Sequence, residues 1–426
     1  MNSLLRIPYA LAGAIAQSLA YMVPEGESKL QRSLVARRGI LRRYHQWSAA
    51  RRDPSRSLVW FHAPSVGEGL QALPVIQLLR SRQPDVQIAY THYSPSAEKF
   101  ARSTGADFVD YLPFDTFTAA AAAISALQPA ALIFSKLDVW PALTETAARR
   151  NVRIGLISAT LPASSGRRSG LARRALADAY HALDRVGAIS EEDAGRLREQ
   201  GVRRDRISVT GDTRYDQVWA RAVAPACPLV ESLRSSARTL VAGSTWPADE
   251  AHLLPAWIEV RKHVSKARLV IAPHELSAGH LSAIADWARS NNLRVSRLSE
   301  SKPAESDVVL VDRYGVLGDL YGLADVAYVG GGFHSAGLHS VLEPAAFGAP
   351  VVFGPRHGKS REAGTLLRGG GARVAKDREE LGRQLGELLA SKELRASSGA
   401  AARAMVESGV GAAERSYQLV RELLGR

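Results

Sequence analysis

The chain has 426 residues, with 55 Lys and Arg against 42 Asp and Glu and a formal net charge of +13. At ~150 residues per domain this length excludes one ordinary core and predicts two or three domains. Hydrophobic and charged contents of 46% and 23% are those of a globular protein, and a single cysteine, Cys227, excludes an internal disulfide and fits a reducing compartment. The positive balance favours anionic partners: nucleic acid, anionic lipid or a phosphorylated substrate. No zinc-finger spacing, RNA-binding aromatic signature or isolated basic tail accompanies it, so nucleic acid rests on charge alone and is not expected as a partner.

Leu4 to Val23 form an apolar run rich in small residues with one charge, Arg6, followed by Lys29, Arg32, Arg37, Arg38, Arg42, Arg43, Arg51 and Arg52. The run lies near the lower limit of a membrane span. An interfacial helix whose arginines meet anionic head groups fits equally, and an ordinary buried helix is the bland alternative. A signal peptide fits poorly, because the apolar core is long and lacks a clear cleavage site. Residues 1–25 are therefore expected to be a membrane-associating segment, with the positive residues after it keeping the body on the cytoplasmic side, at the inner membrane.

From Leu58 the pattern alternates short β-rich runs with helical stretches. Strands are predicted at Leu58–Ala63, Val86–Thr91, Phe108–Leu112, Ala131–Ser135, Ile154–Ser158 and Val186–Ser190, with helices at Glu68–Arg80, Phe117–Leu127 and Pro141–Arg150. Continuous apolar strands separated by helices indicate a parallel sheet covered on both faces. The pattern stalls over Ala220–Ser236 around Pro225 and Pro228, then restarts with strands at Leu240–Gly243, Leu269–Ala272, Val308–Val311, Val326–Val329 and Val351–Phe353. The expected fold is α/β with two doubly wound, Rossmann-like domains at 26–221 and 222–408 facing a central cleft.

The first strand runs into His62-Ala63-Pro64-Ser65-Val66-Gly67-Glu68 and then a helix. Gly67 allows a tight turn, and Glu68 at the sheet's carboxyl edge is placed for general-base work. Ser65-x-x-Glu68 equally matches a capping box that only satisfies helix amides. In the second domain Val329 leads into Gly330-Gly331-Gly332-Phe333 and then Gly337-Leu338-His339-Ser340-Val341-Leu342-Glu343-Pro344. Glycines admit backbone amides to a phosphate, a helix starting near Ser340 favours its charge, and Glu343 is placed to accept from ribose hydroxyls. The alternative is a loop using glycine for turn geometry alone. Gly243-Ser244-Thr245-Trp246-Pro247-Ala248-Asp249-Glu250 and Ala272-Pro273-His274-Glu275 also sit at strand ends; Asp249 and Glu250 read as ordinary first-turn acids. The histidines are scattered without metal-ligand spacing, so no metal or other cofactor is expected. GxSxG is absent from any strand-to-helix turn, which disfavours a serine hydrolase.

Together these segments resemble the Kdo (3-deoxy-D-manno-octulosonic acid) transferase family over nearly the whole chain. The resemblance is carried by His62–Glu68, Tyr93-Ser94-Pro95-Ser96, Trp140-Pro141, Ile157-Ser158-Ala159, Gly211–Asp216, Gly243–Glu250, Ala272–Glu275, Asp319-Leu320-Tyr321 and Gly330–Ala346. It implies a GT-B fold, inverting and metal-independent transfer of Kdo from CMP-Kdo to a lipid A precursor, and a base at Glu68. It further implies a nucleotide pocket from Ser244, Thr245, Pro273, His274, Gly331, Gly332 and Glu343, joined by His339 and Ser340, with Arg214 adding charge beside the leaving CMP. Ser65, Gly67, Lys136 and Asp138 are the expected acceptor contacts, and 409–426 is expected to form a helix returning to the first domain. Two departures stand out. Ser135-Lys136-Leu137-Asp138-Val139 precedes Trp140-Pro141 where relatives commonly show a glutamate-rich segment, and Leu338-His339-Ser340 replaces Gly-His-Asn. Rival readings are a lipid A disaccharide synthase, a nucleotide-sugar 2-epimerase, or a non-catalytic binder of anionic lipid or nucleic acid; the last leaves Glu68 and the glycine-rich loop without a purpose.

Overall fold

The computed structural model describes residues 3–300 and 303–425. The chain divides into two compact units, one of residues 1–217 with 411–426, the other of 218–410. The helix Arg214–Val223 carries the chain from the first to the second.

The first unit is a parallel seven-stranded sheet. Its strands are β1 (Leu58–His62), β2 (Gln87–His92), β3 (Phe108–Tyr111), β4 (Ala131–Ser135), β5 (Arg153–Ala159), β6 (Arg185–Ala188) and β7 (Ile207–Val209), in the order β3-β2-β1-β4-β5-β6-β7. Side chains alternate between faces along each strand. Leu58, Trp60, Leu132 and Phe134 face helices Ile40–Arg51, Phe117–Leu127 and Pro141–Arg149. Val59, Phe61, Ala131 and Ile133 face the helices Val66–Arg82 and Ala412–Leu423. Both faces are covered, which is why the strands read as unbroken apolar runs. The C-terminal helix fits because Gly155 leaves room: a Cβ there would lie 2.7 Å from Leu423 Cδ1. Asp216 caps its start, accepting from the amides of Gly411 (2.8 Å) and Ala413 (3.0 Å).

The second unit repeats the plan with β8 (Thr239–Thr245), β9 (Arg268–Pro273), β10 (Val295–Arg297), β11 (Val308–Leu310), β12 (Val326–Val329), β13 (Val351–Phe353) and β14 (Ala372–Val374), ordered β10-β11-β9-β8-β12-β13-β14 and all parallel. In each unit the strand order reverses at the first strand. Loops after β1 and β4, and after β8 and β12, therefore diverge and leave a crevice at the carboxyl edge, where open α/β sheets bind ligands. Strands β7, β10 and β14, absent from the sequence reading, are three-residue edge strands.

The N-terminal run forms the helix Ser3–Met22, tied to the first unit along one side. Tyr9 donates to Asp115 (2.5 Å), Arg6 pairs with Glu145 (3.4 Å) and lies over Phe117, and Arg38 donates to the carbonyl of Ala20 (2.9 Å). Ile7, Leu11, Ile15, Leu19 and Met22, three or four residues apart, make a stripe 49–79% exposed. Among the described residues no helix is long and apolar enough to cross a membrane. The exposed stripe excludes a wholly buried helix.

Candidate active site

Glu68 stands in the first turn of Val66–Arg82, directly beyond β1. Its Oε1 pairs with Lys136 Nζ at 3.1 Å, its Oε2 accepts from Ser65 Oγ, and its carbonyl accepts from Ser135 Oγ at 2.9 Å. Ser65 occupies the N-cap position but its side chain makes no capping bond. The two side chains that could have satisfied helix amides bind one another instead. Lys136 reaches Glu68 from the end of β4 with φ +70°, a left-handed conformation that side chains disfavour. The carboxylate and ammonium thus flank the crevice between β1 and β4.

Asp138 lies further along the same loop and pairs with Arg167. Burial pushes its carboxyl up, partly offset by Arg167. Gly67, read from sequence as a turn residue, is helical and exposed, and a Cβ there would meet only Ser65 Oγ at an ordinary 3.7 Å. The turn does not require glycine at that position.

His62, at the end of β1, is fully buried and donates or accepts at Nδ1 with Thr91 Oγ1 (3.0 Å). Burial, and then the charge of Arg37, push its imidazole down to about 3. His62 is thus a neutral core residue beneath Trp140, whose ring lies edge-on 5.8 Å away. Arg214, expected beside the leaving group, is bound by Asp212 through two bonds of 2.9 and 2.6 Å. Asp212 also takes Gln71 Nε2 at 3.1 Å. That pairing holds the segment Gly211–Asp216 against the helix bearing Glu68.

In the second unit Ser244 (φ +55°) and Thr245 end β8, and Thr245 donates to Glu250 (2.7 Å), whose other oxygen meets His280 Nε2 (2.8 Å). Gly330 packs so tightly on β8 that a Cβ would fall 2.1 Å from the carbonyl oxygen of Ser244, and one on Gly332 would fall 2.3 Å from the amide of Gly354. Gly331 has φ +90°. The glycines therefore serve a close backbone approach.

The loop's amides are not all open to an anion, however. Asp249, fully buried, accepts from Gly331 N–H (2.7 Å), Phe333 N–H (3.0 Å), Tyr328 Oη (3.1 Å) and Trp246 N–H (3.0 Å). What read as an ordinary first-turn acid is the clamp of the glycine-rich loop. The helix expected near Ser340 begins at Leu342 and has only five residues, so its dipole contributes little.

His274, beyond Pro273 at the end of β9, lies flat on Trp246 at 4.3 Å between ring centroids; His334 does so at 4.2 Å, and His339 Nε2 accepts from Trp246 Nε1 at 3.1 Å. Ser340 is exposed beside them. Glu343 pairs with Arg221 (3.4 Å), which also holds Asp319 (3.3 Å). Burial pushes the Glu343 carboxyl up and Arg221 opposes it. Among the described residues no group of three or more His, Cys, Asp or Glu is placed to hold a metal ion. Trp246, His334, Asp249 and Arg221 were missed as site residues. The first three lie in segments the sequence had already marked at strand ends, whereas nothing local marks Arg221.

Two doubly wound, parallel-sheet units with loops gathered at their carboxyl edges define an α/β fold of the GT-B type. The fold is shared with the UDP-GlcNAc 2-epimerase of Neisseria meningitidis bound to UDP-GlcNAc, at a TM-score of 0.62 and 14% identity over 87% of this chain and 99% of that one. Residues 35–217 match the model of the 3-deoxy-D-manno-octulosonic-acid transferase (kdotransferase) family. The chain is 26% identical over 397 residues to the 3-deoxy-D-manno-octulosonic acid transferase of Haemophilus influenzae, covering 92% of each chain. It is 29% identical over 400 residues to that of Bordetella pertussis, covering 87% of this chain and 89% of the other. The chain is thus similar to Kdo transferases over most of its length, and these relatives support its reading as a glycosyltransferase.

Proposed function

We propose that the chain transfers Kdo from CMP-Kdo to a lipid A precursor of the lipid IVA type, with inversion and without a metal, at the cytoplasmic face of the inner membrane. The observation that carries this reading is the Glu68 carboxylate at the crevice of the first unit, held by Lys136 and Ser65 rather than spent on capping. An acceptor hydroxyl attacks the anomeric carbon of Kdo as the bond from that carbon to the phosphate oxygen breaks. The hydroxyl proton passes to Glu68 and CMP departs with the bonding pair. No covalent sugar–enzyme intermediate is required, so one carboxylate suffices. Both Glu68 oxygens are occupied at rest, so taking the proton displaces Ser65 or loosens Lys136.

Ser65, Gly67, Lys136 and Asp138 form the acceptor side of this reading. Ser244, Thr245, Pro273, His274, Gly331, Gly332, His339, Ser340 and Glu343 form the donor side, with Glu343 and Arg221 turned to the ribose. Arg214 is proposed to position its neighbours through Asp212 rather than to meet the phosphate. The exposed stripe of Ser3–Met22 is proposed to lie in the head-group region, since a helix with one face docked and the other apolar gains by burying the second face in lipid. The test is incubation with CMP-Kdo generated in situ and a tetra-acylated lipid A precursor. A product heavier by one or more Kdo units supports the reading and counts the sugars. Bound CMP with no product from this acceptor contradicts the acceptor assignment, and no binding of CMP contradicts the donor assignment.

A further inference from the structure

The helix Val66–Arg82, which carries Glu68, contains Pro74. Proline has no amide hydrogen, so the carbonyl of Leu70 loses its usual donor four residues on and the ladder is broken there. Beyond the proline, Val75, Ile76 and Leu79 are buried in the core and fix the rest of the helix. Residues 66–71, the part that bears the carboxylate, are not directed by an unbroken ladder.

Two carbonyls of that part, those of Glu68 and Gln71, accept from side chains outside the helix. Ser135 Oγ, at the end of β4, donates to the first at 2.9 Å, and Thr213 Oγ1 donates to the second at 2.6 Å. Residues three apart lie on one side of a helix, so both bonds hold the same side. The Thr213 hydroxyl has one proton and gives it to Gln71. Its 3.0 Å contact with Ser158 Oγ therefore takes its proton from Ser158. Ser158 and Thr213 are both fully buried.

The backbone on either side of this contact is arranged for it. Ser158 has φ +48° and Lys136 has φ +70°, both in the left-handed region that side chains disfavour. They stand at the ends of the adjacent strands β5 and β4, where the Lys136 amide donates to the carbonyl of Ile157 at 2.9 Å. One strained residue brings its ammonium to the Glu68 carboxylate; the other brings its hydroxyl to the Thr213 that holds Gln71. Backbone strain at two points thus serves one helix turn, as is common where geometry matters to function. Thr213 in turn sits on a fixed frame. The Gly211 amide donates to the carbonyl of Ala188 (3.1 Å), Asp212 takes both Arg214 and Gln71, and Asp216 caps the helix Ala412–Leu423.

We propose that Thr213 and Ser158 are positioning residues for the transfer: the hydroxyl chain from Ser158 through Thr213 to the Gln71 carbonyl sets the direction from which Glu68 meets the acceptor. The inference rests on the reading of Glu68 as the base and extends it to two buried residues. Neither hydroxyl gives up its proton to the reaction; the chain acts only through the placement of the turn. A hydroxyl serving stability alone would reduce the amount of folded protein but not the turnover of each folded molecule.

The test is kcat and KM for Kdo transfer to a tetra-acylated lipid A precursor by the full chain, per folded molecule, in Thr213→Val, Thr213→Ser and Ser158→Ala. Valine keeps the shape of threonine and removes the hydroxyl, whereas serine keeps the hydroxyl and removes a methyl group. Since a displacement of about 1 Å remote from the chemistry can cost about 100-fold, Thr213→Val is predicted to lower kcat about 10- to 100-fold with KM for CMP-Kdo within about twofold of wild type. Thr213→Ser should keep kcat within about threefold of wild type although the lost methyl lowers Tm. Ser158→Ala leaves the bond from Thr213 to Gln71 and should lower kcat about threefold; added to Thr213→Val it should cost nothing further, because the two act through one chain.

A folded Thr213→Val enzyme with wild-type kcat, or a Thr213→Ser enzyme as slow as Thr213→Val, overturns the inference. Where Thr213→Val does not fold, wild-type kcat in Ser158→Ala overturns it. Either result leaves the base reading standing if Glu68→Gln, run alongside, is inactive. An active Glu68→Gln enzyme, or no transfer by the wild type, overturns the base reading and this inference with it.

Discussion

Replacing Asp249 tests whether the glycine-rich loop is built as the structure indicates. In Asp249→Ala three backbone amides and the Tyr328 hydroxyl lose their acceptor inside a fully buried pocket. Each buried donor left unpaired costs about 1–3 kcal/mol, but water entry and loop relaxation offset part of the sum, so we expect a net loss of about 4 kcal/mol. For a unit of this size, 1 kcal/mol corresponds to roughly 2–4 °C in Tm, which predicts a fall of about 8–16 °C for its transition. Asp249→Asn keeps one acceptor oxygen but turns an NH2 group toward amide donors, and should lose about half as much by the same reasoning. Differential scanning calorimetry of the full chain measures both variants, and CMP titration near 10 °C reports whether the loop still shapes its site. An Asp249→Ala protein melting within about 2 °C of wild type, with unchanged CMP affinity, would refute the clamp.

Lys136→Met should change stability by less than about 1 kcal/mol, because the pair with Glu68 is partly exposed. Kdo transfer should nevertheless fall by up to about 100-fold through misplacement of the carboxylate, measured as kcat on folded protein. Gly330→Ala drives a methyl group into the carbonyl of Ser244, a backbone contact with no rotamer to relieve it, and should destabilise the second unit by about 1–3 kcal/mol and abolish CMP binding. His62 has its ring pushed down to about 3 from an ordinary 6.5. Below pH 6.5 the unfolded chain therefore binds a proton that the folded chain refuses, and stability falls by up to about 1.4 kcal/mol per pH unit as pH drops toward 3. Urea titrations at pH 7, 6 and 5 should show that slope in the wild type and a flatter one in His62→Gln. Tyr9→Phe removes the bond to Asp115 and should raise the rate of proteolysis within the first 25 residues severalfold, matching a loss of about 1 kcal/mol. Leu11→Ser with Ile15→Ser should weaken binding to anionic vesicles, measured by flotation, without changing Tm by more than about 2 °C, since both side chains are exposed.

The central strands were legible because each is buried on both faces and carries an uninterrupted apolar run: β4, β12 and β13 match the sequence reading residue for residue. The missed β7, β10 and β14 are edges, three residues long and partly open to solvent, so no such run marks them. The division between the compact units, at 217/218, lies inside helix Arg214–Val223, while the proline-rich stall that suggested a linker lies after the crossing. For the site, spacing put Glu68 at the start of a helix but could not tell a capping box from a carboxylate held by Lys136. That choice depends on the left-handed turn at Lys136, 68 residues away. Likewise Asp249 has the sequence position of a helix-start acid, and only the return of β12 beside β8 brings the loop amides to it. Long-range pairing of this kind leaves no local pattern to read.

The most direct test of the account is transfer of labelled Kdo to a tetra-acylated lipid A precursor by wild type and by Glu68→Gln, each first shown to be folded and to bind CMP. The account predicts product from the wild type and a loss of about 10²–10⁴-fold in the variant with CMP affinity unchanged, the range expected for removing a general base. A folded, CMP-binding Glu68→Gln enzyme that transfers Kdo at the wild-type rate would contradict it.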